Sequence, residues 1–108
     1  MTYPVNFFEN SRNEKIVETF LEKQSDHILA EFFRLIDTLS FLGPKLSLPD
    51  SRHLQKDLDE LRIRGKKQIR IIYTFKHGQY YLLHAFAKKS NKTPQKEINI
   101  ALNRLSQI

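Results

Sequence analysis

The sequence predicts an α+β domain of order β-α-α-β-β-β-α, with an antiparallel sheet, two N-terminal helices and one C-terminal helix. Three observations predict it. Apolar residues recur at helical spacing up to Gly43, then alternate with period two between Asp59 and Ala87. The three alternating segments are joined by turns too short for a crossover, so they form an antiparallel meander. After Thr93-Pro94 the helical spacing returns. At 108 residues the chain has room for one core, and residues 1–108 are read as a single domain.

Tyr3 to Phe8 reads as a short opening strand, with Pro4 tolerated near its start on an edge. Ser11 and Glu14 have the spacing of a capping box, ahead of Ile16, Val17, Phe20 and Leu21 on one helical face. Ser25 or Asp26 caps a second helix whose stripe is Ile28, Leu29, Phe32, Phe33, Ile36 and Leu39. Gly43-Pro44 ends it, offering a left-handed position and then a residue that cannot continue the helix. Lys45 to Leu54 is expected to be a loop. Strands follow from Asp59 to Arg64, Gln68 to Phe75 and Tyr80 to Ala87, with turns at Gly65-Lys66-Lys67 and Lys76 to Gln79. Thr93 is expected to cap the last helix, with Pro94 in its first position. The helices are expected on one face of the sheet, leaving the other partly open.

The charge is unevenly placed. Residues 1–44 hold four basic and seven acidic residues, whereas residues 45–96 hold thirteen and four, so a net +6 is concentrated in the second half. That asymmetry suggests a polyanionic partner, with nucleic acid the leading candidate. With 40% hydrophobic and 28% charged residues, the composition is that of an ordinary soluble protein. No apolar run nears the roughly 18 residues of a spanning helix, and no secretory signal is visible at the start. The chain has no cysteine, which excludes disulfides, thiolate zinc sites and cysteine nucleophiles and suits the cytoplasm.

Glu60, Arg62 and Arg64 point to one side of their strand, while Leu61 and Ile63 point to the core. Arg70 sits in mid-strand within an apolar run. An arginine there needs an anion or an open face. A salt bridge from Arg62 or Arg70 to Glu60 or Asp59 would satisfy it, and so would an external phosphate. Lys88-Lys89-Ser90-Asn91-Lys92 leads from a strand end to the start of a helix, which suits phosphate as well as a solvated loop. His27, His53, His77 and His84 lack partners at metal-ligand spacing, so no metal is expected. His53 and His84 are proton-carrier candidates, and a core position is the alternative for His84. There is no phosphate-binding loop, dinucleotide glycine pattern or nucleophile elbow. Catalysis must then come from Arg, Lys, His and Tyr, which suits cleavage of RNA, whose own 2′-hydroxyl is the nucleophile.

Leu42-Gly43-Pro44, Glu60-Leu61-Arg62, Arg70-Ile71-Ile72-Tyr73, Leu82 to Lys89, and Lys92-Thr93-Pro94 with Glu97, Ile98 and Ala101 occur in that order. The ordered set resembles the phage-derived addiction-toxin branch of the RelE superfamily, the HigB-like toxins. The likeness runs from about Tyr3 to Leu105 and is dense from Gly43 onward. It implies a RelE-like domain acting as the toxin of a type II toxin–antitoxin system, a cofactor-free, metal-independent endoribonuclease that cuts mRNA on the ribosome. The implied partners are mRNA, the ribosome and a cognate antitoxin, usually a small helix-turn-helix protein, with no membrane.

On that likeness Arg70 would hold the scissile phosphate, and Arg62 or Arg64 would stabilise the pentacovalent transition state. A preorganised donor of this kind is worth roughly 3–4 kcal/mol. Lys89 completes the catalytic set, while Arg64, Lys66, Lys67, Lys88 and Lys92 would contact RNA phosphates. Several relatives place a tyrosine or histidine near the C-terminus for proton transfer. Here the segment Pro94 to Ile108 has neither, which leaves Lys89, His53, Tyr73 and His84 as candidates. A non-catalytic RNA- or ribosome-binding module, an antitoxin-paired co-repressor, or a degenerate scaffold would use the same basic surface.

Overall fold

The computed structural model describes residues 2–108. In chain order it contains β1 (Val5–Phe7), α1 (Ile16–Glu22), α2 (Asp26–Leu42), a 3₁₀ turn (Gly43–Lys45), β2 (Ser51–Gln55), β3 (Leu58–Ile63), β4 (Gln68–Lys76), β5 (Gln79–Lys88) and α3 (Gln95–Leu105). The class is α+β. The five strands lie in the order β1-β5-β4-β3-β2. β1 runs parallel to β5 and every other pair is antiparallel, so the expected antiparallel sheet is in fact mixed.

One strand was hidden in the expected loop. Ser51-Arg52-His53-Leu54-Gln55 has a single apolar residue because β2 is an edge strand with its side chains largely in solvent. Its pairing is nonetheless regular at first, with Ser51 opposite Leu61, Arg52 opposite Glu60 and His53 opposite Asp59. The β4–β5 connection is tighter. His77 and Gly78 both take positive φ, 55° and 77°, as the two-residue turns that match strand twist require.

The helix starts show which local interaction wins. The Ser11–Glu14 box does not form. Instead the Asn10 side chain accepts from the backbone N–H groups of Arg12 and Glu14 at 2.9 Å each, which holds a turn, and α1 begins only at Ile16. α2 is capped by Ser25, whose hydroxyl accepts from the Ile28 N–H at 3.3 Å. Its buried face is Ile28, Phe32, Leu35 and Leu39, a four-three-four spacing. Phe33, expected in the stripe, is 60% exposed, whereas Leu35 is fully buried. Gly43 ends α2 at φ 56°, returning its N–H to the Leu39 carbonyl. A Cβ there would overlap the Tyr3 ring.

Helices cover both faces of the sheet, which corrects the expectation of one. α1 and α2 pack on Leu61, Ile63, Ile69, Ile71, Tyr73 and Leu82. α3 lays Ile98 and Ala101 on Leu58, Ile72, Leu83 and Phe86 of the opposite face. A bulge in β5, where the register against β4 shifts between Ile72 and Tyr73, makes this second face possible. Leu83 joins the α3 core while its neighbour His84 bonds to Glu97 of α3, so two consecutive side chains turn the same way. α3 has 11 residues and is about 16 Å long, too short to cover the whole face. The uncovered remainder is cationic. Among the described residues no helix is long and apolar enough to cross a membrane.

Candidate nucleic-acid interface

β3 and β4 bring Arg62 directly opposite Arg70, an arrangement that like-charge repulsion disfavours. It persists because Glu60 lies on the same side, two residues back along β3. The Glu60 side chain is fully buried and that of Arg70 is 4% exposed, with Arg70 Nε 3.6 Å from Glu60 Oε1. The second carboxylate oxygen, Oε2, accepts from the Thr93 hydroxyl at 2.6 Å. Thr93 therefore does not cap α3 as expected. It is buried against the sheet, and Pro94 occupies the N-cap position.

Arg70 is held on every side. Nη1 donates to the carbonyls of Ile63 and Ile69 at 3.3 and 3.0 Å, and Nη2 donates to Gln68 Oε1 at 3.2 Å. A guanidinium has five N–H bonds. Three are used and Nε is enclosed beside Glu60, so one Nη2 hydrogen remains for a ligand. Glu60 Oε1, Arg62 Nε and Arg70 Nε are buried without a hydrogen-bond partner. Burial, reinforced by Arg62, Arg64 and Arg52, lowers the Arg70 pKa against the opposing pull of Glu60. Burial likewise lowers that of Lys88, with Arg70, Arg52 and Arg62 adding to it and Glu60 resisting.

Above this pair opens a cleft of about 300 Å³ lined by Arg62, Gln68, Arg70, Lys88, Lys89, Ser90 and Asn91. Of the residues singled out in the sequence, it gathers Arg62, Arg70, Lys88 and Lys89. Lys92 is nearby in the chain, exposed in the same loop, where its carbonyl accepts from Ser90 Oγ at 2.8 Å. Arg64, Lys66 and Lys67 line a different recess of about 350 Å³ with Ser25, His27 and Ile28, and Lys67 Nζ donates to Gln24 Oε1 at 2.8 Å.

The proton-carrier candidates lie elsewhere. His53 and Tyr73 face the α1–α2 side of the sheet, opposite to the Arg62–Arg70 face. His53 Nδ1 is 2.8 Å from Asp59 Oδ1, and the Tyr73 hydroxyl is 2.6 Å from Ser51 Oγ. Both line a third recess of about 410 Å³ with Gly43 and Leu48. Burial pushes the Tyr73 hydroxyl pKa well above its ordinary value. His84 shares the face of Arg70 but belongs to the α3 contact. Its Nε2 is 2.8 Å from Glu97 Oε1 and its Nδ1 is 3.3 Å from Arg104 Nη1. Arg104 Nη1 can only donate, so the network assigns the proton to Nε2. Burial lowers the His84 pKa, Glu97 raises it and Arg104 lowers it. Four residues of strand, about 13 Å, separate His84 from Lys88.

Sequence reasoning missed Gln68 as part of the cleft lining, Arg52 as a cation that acts on Arg70 and Lys88, and Thr93 as the hydrogen-bond partner of Glu60. Arg52 was concealed by the unrecognised strand, although its alternation with Ser51 and His53 was the available signal. Among the described residues no three His, Asp or Glu side chains converge as a metal-binding group.

A search of curated proteins finds no match to this chain. The family model described as phage-derived protein Gp49-like matches residues 19–106, which include α2, the four strands β2 to β5 and α3. The chain belongs to the phage-derived Gp49-like family.

Proposed function

We propose that this chain is the toxin of a type II toxin–antitoxin system and a RelE/HigB-like endoribonuclease that cuts mRNA on the ribosome. The family supports the toxin part, since Gp49-like proteins are a family of toxin–antitoxin toxins. The observation that carries the chemistry is the cleft, in which Arg62, Lys88 and Lys89 stand over a fixed Arg70–Glu60 pair. Such a site can hold one phosphate and stabilise charge that grows on it.

In this reading the RNA 2′-oxygen attacks the adjacent phosphorus and the bond to the 5′-oxygen breaks. A 2′,3′-cyclic phosphate and a 5′-hydroxyl result. Arg62 is the principal donor to the pentacovalent phosphorane. Arg70 offers a single Nη2 hydrogen and otherwise fixes the floor, a smaller direct share than its sequence position suggests. Lys88, whose pKa burial holds below the ordinary lysine range, takes the 2′-hydroxyl proton, and the Lys89 ammonium gives a proton to the departing 5′-oxygen. General acid–base help of this kind contributes about 10²–10⁴-fold. Arg64, Lys66, Lys67 and Lys92 extend the phosphate track. A cognate antitoxin, a small helix-turn-helix protein in the family pattern, restrains the activity.

Primer extension on mRNA after induction, with analysis of the new ends, tests the reading. Cut sites that vanish in Arg62→Ala support it. The distance of His53, Tyr73 and His84 from the cleft favours one alternative, a module that binds RNA or the ribosome without cutting. That alternative gives salt-sensitive binding with no new ends.

A further inference from the structure

We propose that Glu60, latched by Thr93, is the positioning residue of the basic cleft. Its charge gathers Arg52, Arg62, Arg70 and Lys88 into one array, and its bond to Thr93 fixes the Lys89–Asn91 loop over that array. The inference rests on the reading of the cleft as an RNA site.

Four observations carry it. Glu60 is wholly buried in mid-strand, where a carboxylate is costly unless it is paired. Its surroundings are cationic from three strands: Arg52 opposite it on β2, Arg62 on its own strand, Arg70 on β4. Lys88 reaches the same ground from the end of β5, and Glu60 opposes the lowering of both the Lys88 and the Arg70 pKa. Finally, its two oxygens are used unequally. Oε2 takes the Thr93 hydroxyl at 2.6 Å, whereas Oε1 is buried without a hydrogen bond, 3.6 Å from Arg70 Nε.

Hydrophobic packing would fill this position at less cost, so stability alone does not explain a carboxylate here. Its location does. Thr93 immediately precedes Pro94, where α3 is capped, and follows the loop that supplies Lys89, Ser90 and Asn91 to the cleft. One short bond thus joins the sheet floor, the cleft wall and the helix start. Glu60 does not line the cleft, so it acts through the arginines and the loop. A misplacement on the order of 1 Å at such a support can cost about 100-fold in rate.

Three variants separate the two halves of the device. Thr93→Val removes the donor and keeps the shape; Thr93→Ser keeps the donor. Glu60→Gln keeps an acceptor for Thr93 and removes the charge. Each is assayed for cleavage in a translating extract, with kcat and KM resolved. Each is also assayed for binding of an RNA blocked by 2′-deoxy substitution at the cut site. Thr93→Val is expected to lower kcat by about 10–100-fold with KM within about threefold, as loss of positioning rather than of contact requires. Thr93→Ser should recover to within about threefold. Glu60→Gln should lose cleavage while binding the blocked RNA at least as tightly as the wild type, since the cleft gains net positive charge.

Full activity in folded Thr93→Val and Glu60→Gln would overturn the proposal, as would a Thr93→Ser variant as impaired as Thr93→Val. Should Glu60→Gln fail to fold, the Thr93 pair decides. If the wild type binds the blocked RNA but never cuts, the proposed activity fails. The positioning claim is then judged by hydrogen exchange of the Lys89–Asn91 amides, and it falls if Thr93→Val leaves their protection as in the wild type.

Discussion

Arg62 and Arg70 face each other across two strands, yet their removal should have opposite consequences. Arg70 has a side chain 4% exposed, three hydrogen bonds and the Glu60 ion pair. Arg70→Leu removes the ion pair of Glu60 and leaves the carboxylate buried with the Thr93 hydroxyl as its hydrogen-bond donor, a change that costs about 3–5 kcal/mol. For a chain of 108 residues the total stability is about 5–15 kcal/mol, so a large share disappears. Arg62 is half-buried and makes no hydrogen bond through Nε. Arg62→Ala should therefore cost less than about 1 kcal/mol of stability, as substitutions outside buried networks do. It should still remove about 100–1000-fold of activity, as loss of a transition-state donor does. Urea unfolding followed by circular dichroism, with cleavage by primer extension, reads both quantities. The Arg70–Glu60 coupling is checked in a double-mutant cycle. Neutralising the stranded carboxylate in Arg70→Leu/Glu60→Gln should return roughly 1–3 kcal/mol relative to Arg70→Leu. Strict additivity, or an Arg70→Leu protein as stable as the wild type, would refute the account of Glu60 as a buried counter-charge.

Other consequences are separable from this one. Gly43→Ala should destabilise the fold by at least about 1–3 kcal/mol, since φ is 56° and the added carbon meets Tyr3; thermal unfolding measures it. His53→Ala and Tyr73→Phe should leave cleavage within about threefold of wild type, because both groups face away from the Arg62–Arg70 cleft, as the primer-extension assay can show. The lowered His84 pKa has a defined sign. The unfolded chain takes up this proton near pH 6.5 and the folded chain only at lower pH, so the His84 contribution is complete above 6.5 and is lost as pH falls through the folded value. Unfolding free energies measured from pH 7.5 to 5 should decline below about 6.5, and His84→Gln should flatten that part of the profile.

The legible parts of the molecule were those in which one residue's environment follows from its neighbours in sequence. The Ile69/Ile71/Tyr73 alternation, the Gly43-Pro44 stop and the Ser25 cap each depend on a few adjacent positions, and each stands in the fold. What stayed hidden depends on contacts distant in sequence. β2 has almost no apolar pattern because only the register with β3 makes it a strand, and with it the placement of Arg52 opposite Glu60 was lost. Thr93 looked like a cap because Thr-Pro before a helix is locally a capping sequence. Its hydroxyl was instead claimed by a carboxylate 33 residues earlier. The β5 bulge carried His84 to the α3 contact, a shift that strict alternation cannot foresee.

The same reasoning reorders the two arginines. A mid-strand arginine in an apolar run signals an anion, and the sequence offers no way to tell an external phosphate from an internal carboxylate. Here the internal carboxylate is present, at 3.6 Å. Arg70 is consumed largely by the fold, and in the proposed reading the burden of meeting substrate passes to the partly exposed Arg62 and the lysines at the strand end. In that reading the buried Arg70–Glu60 pair is the support, and the exposed cations around it are those a phosphate can reach.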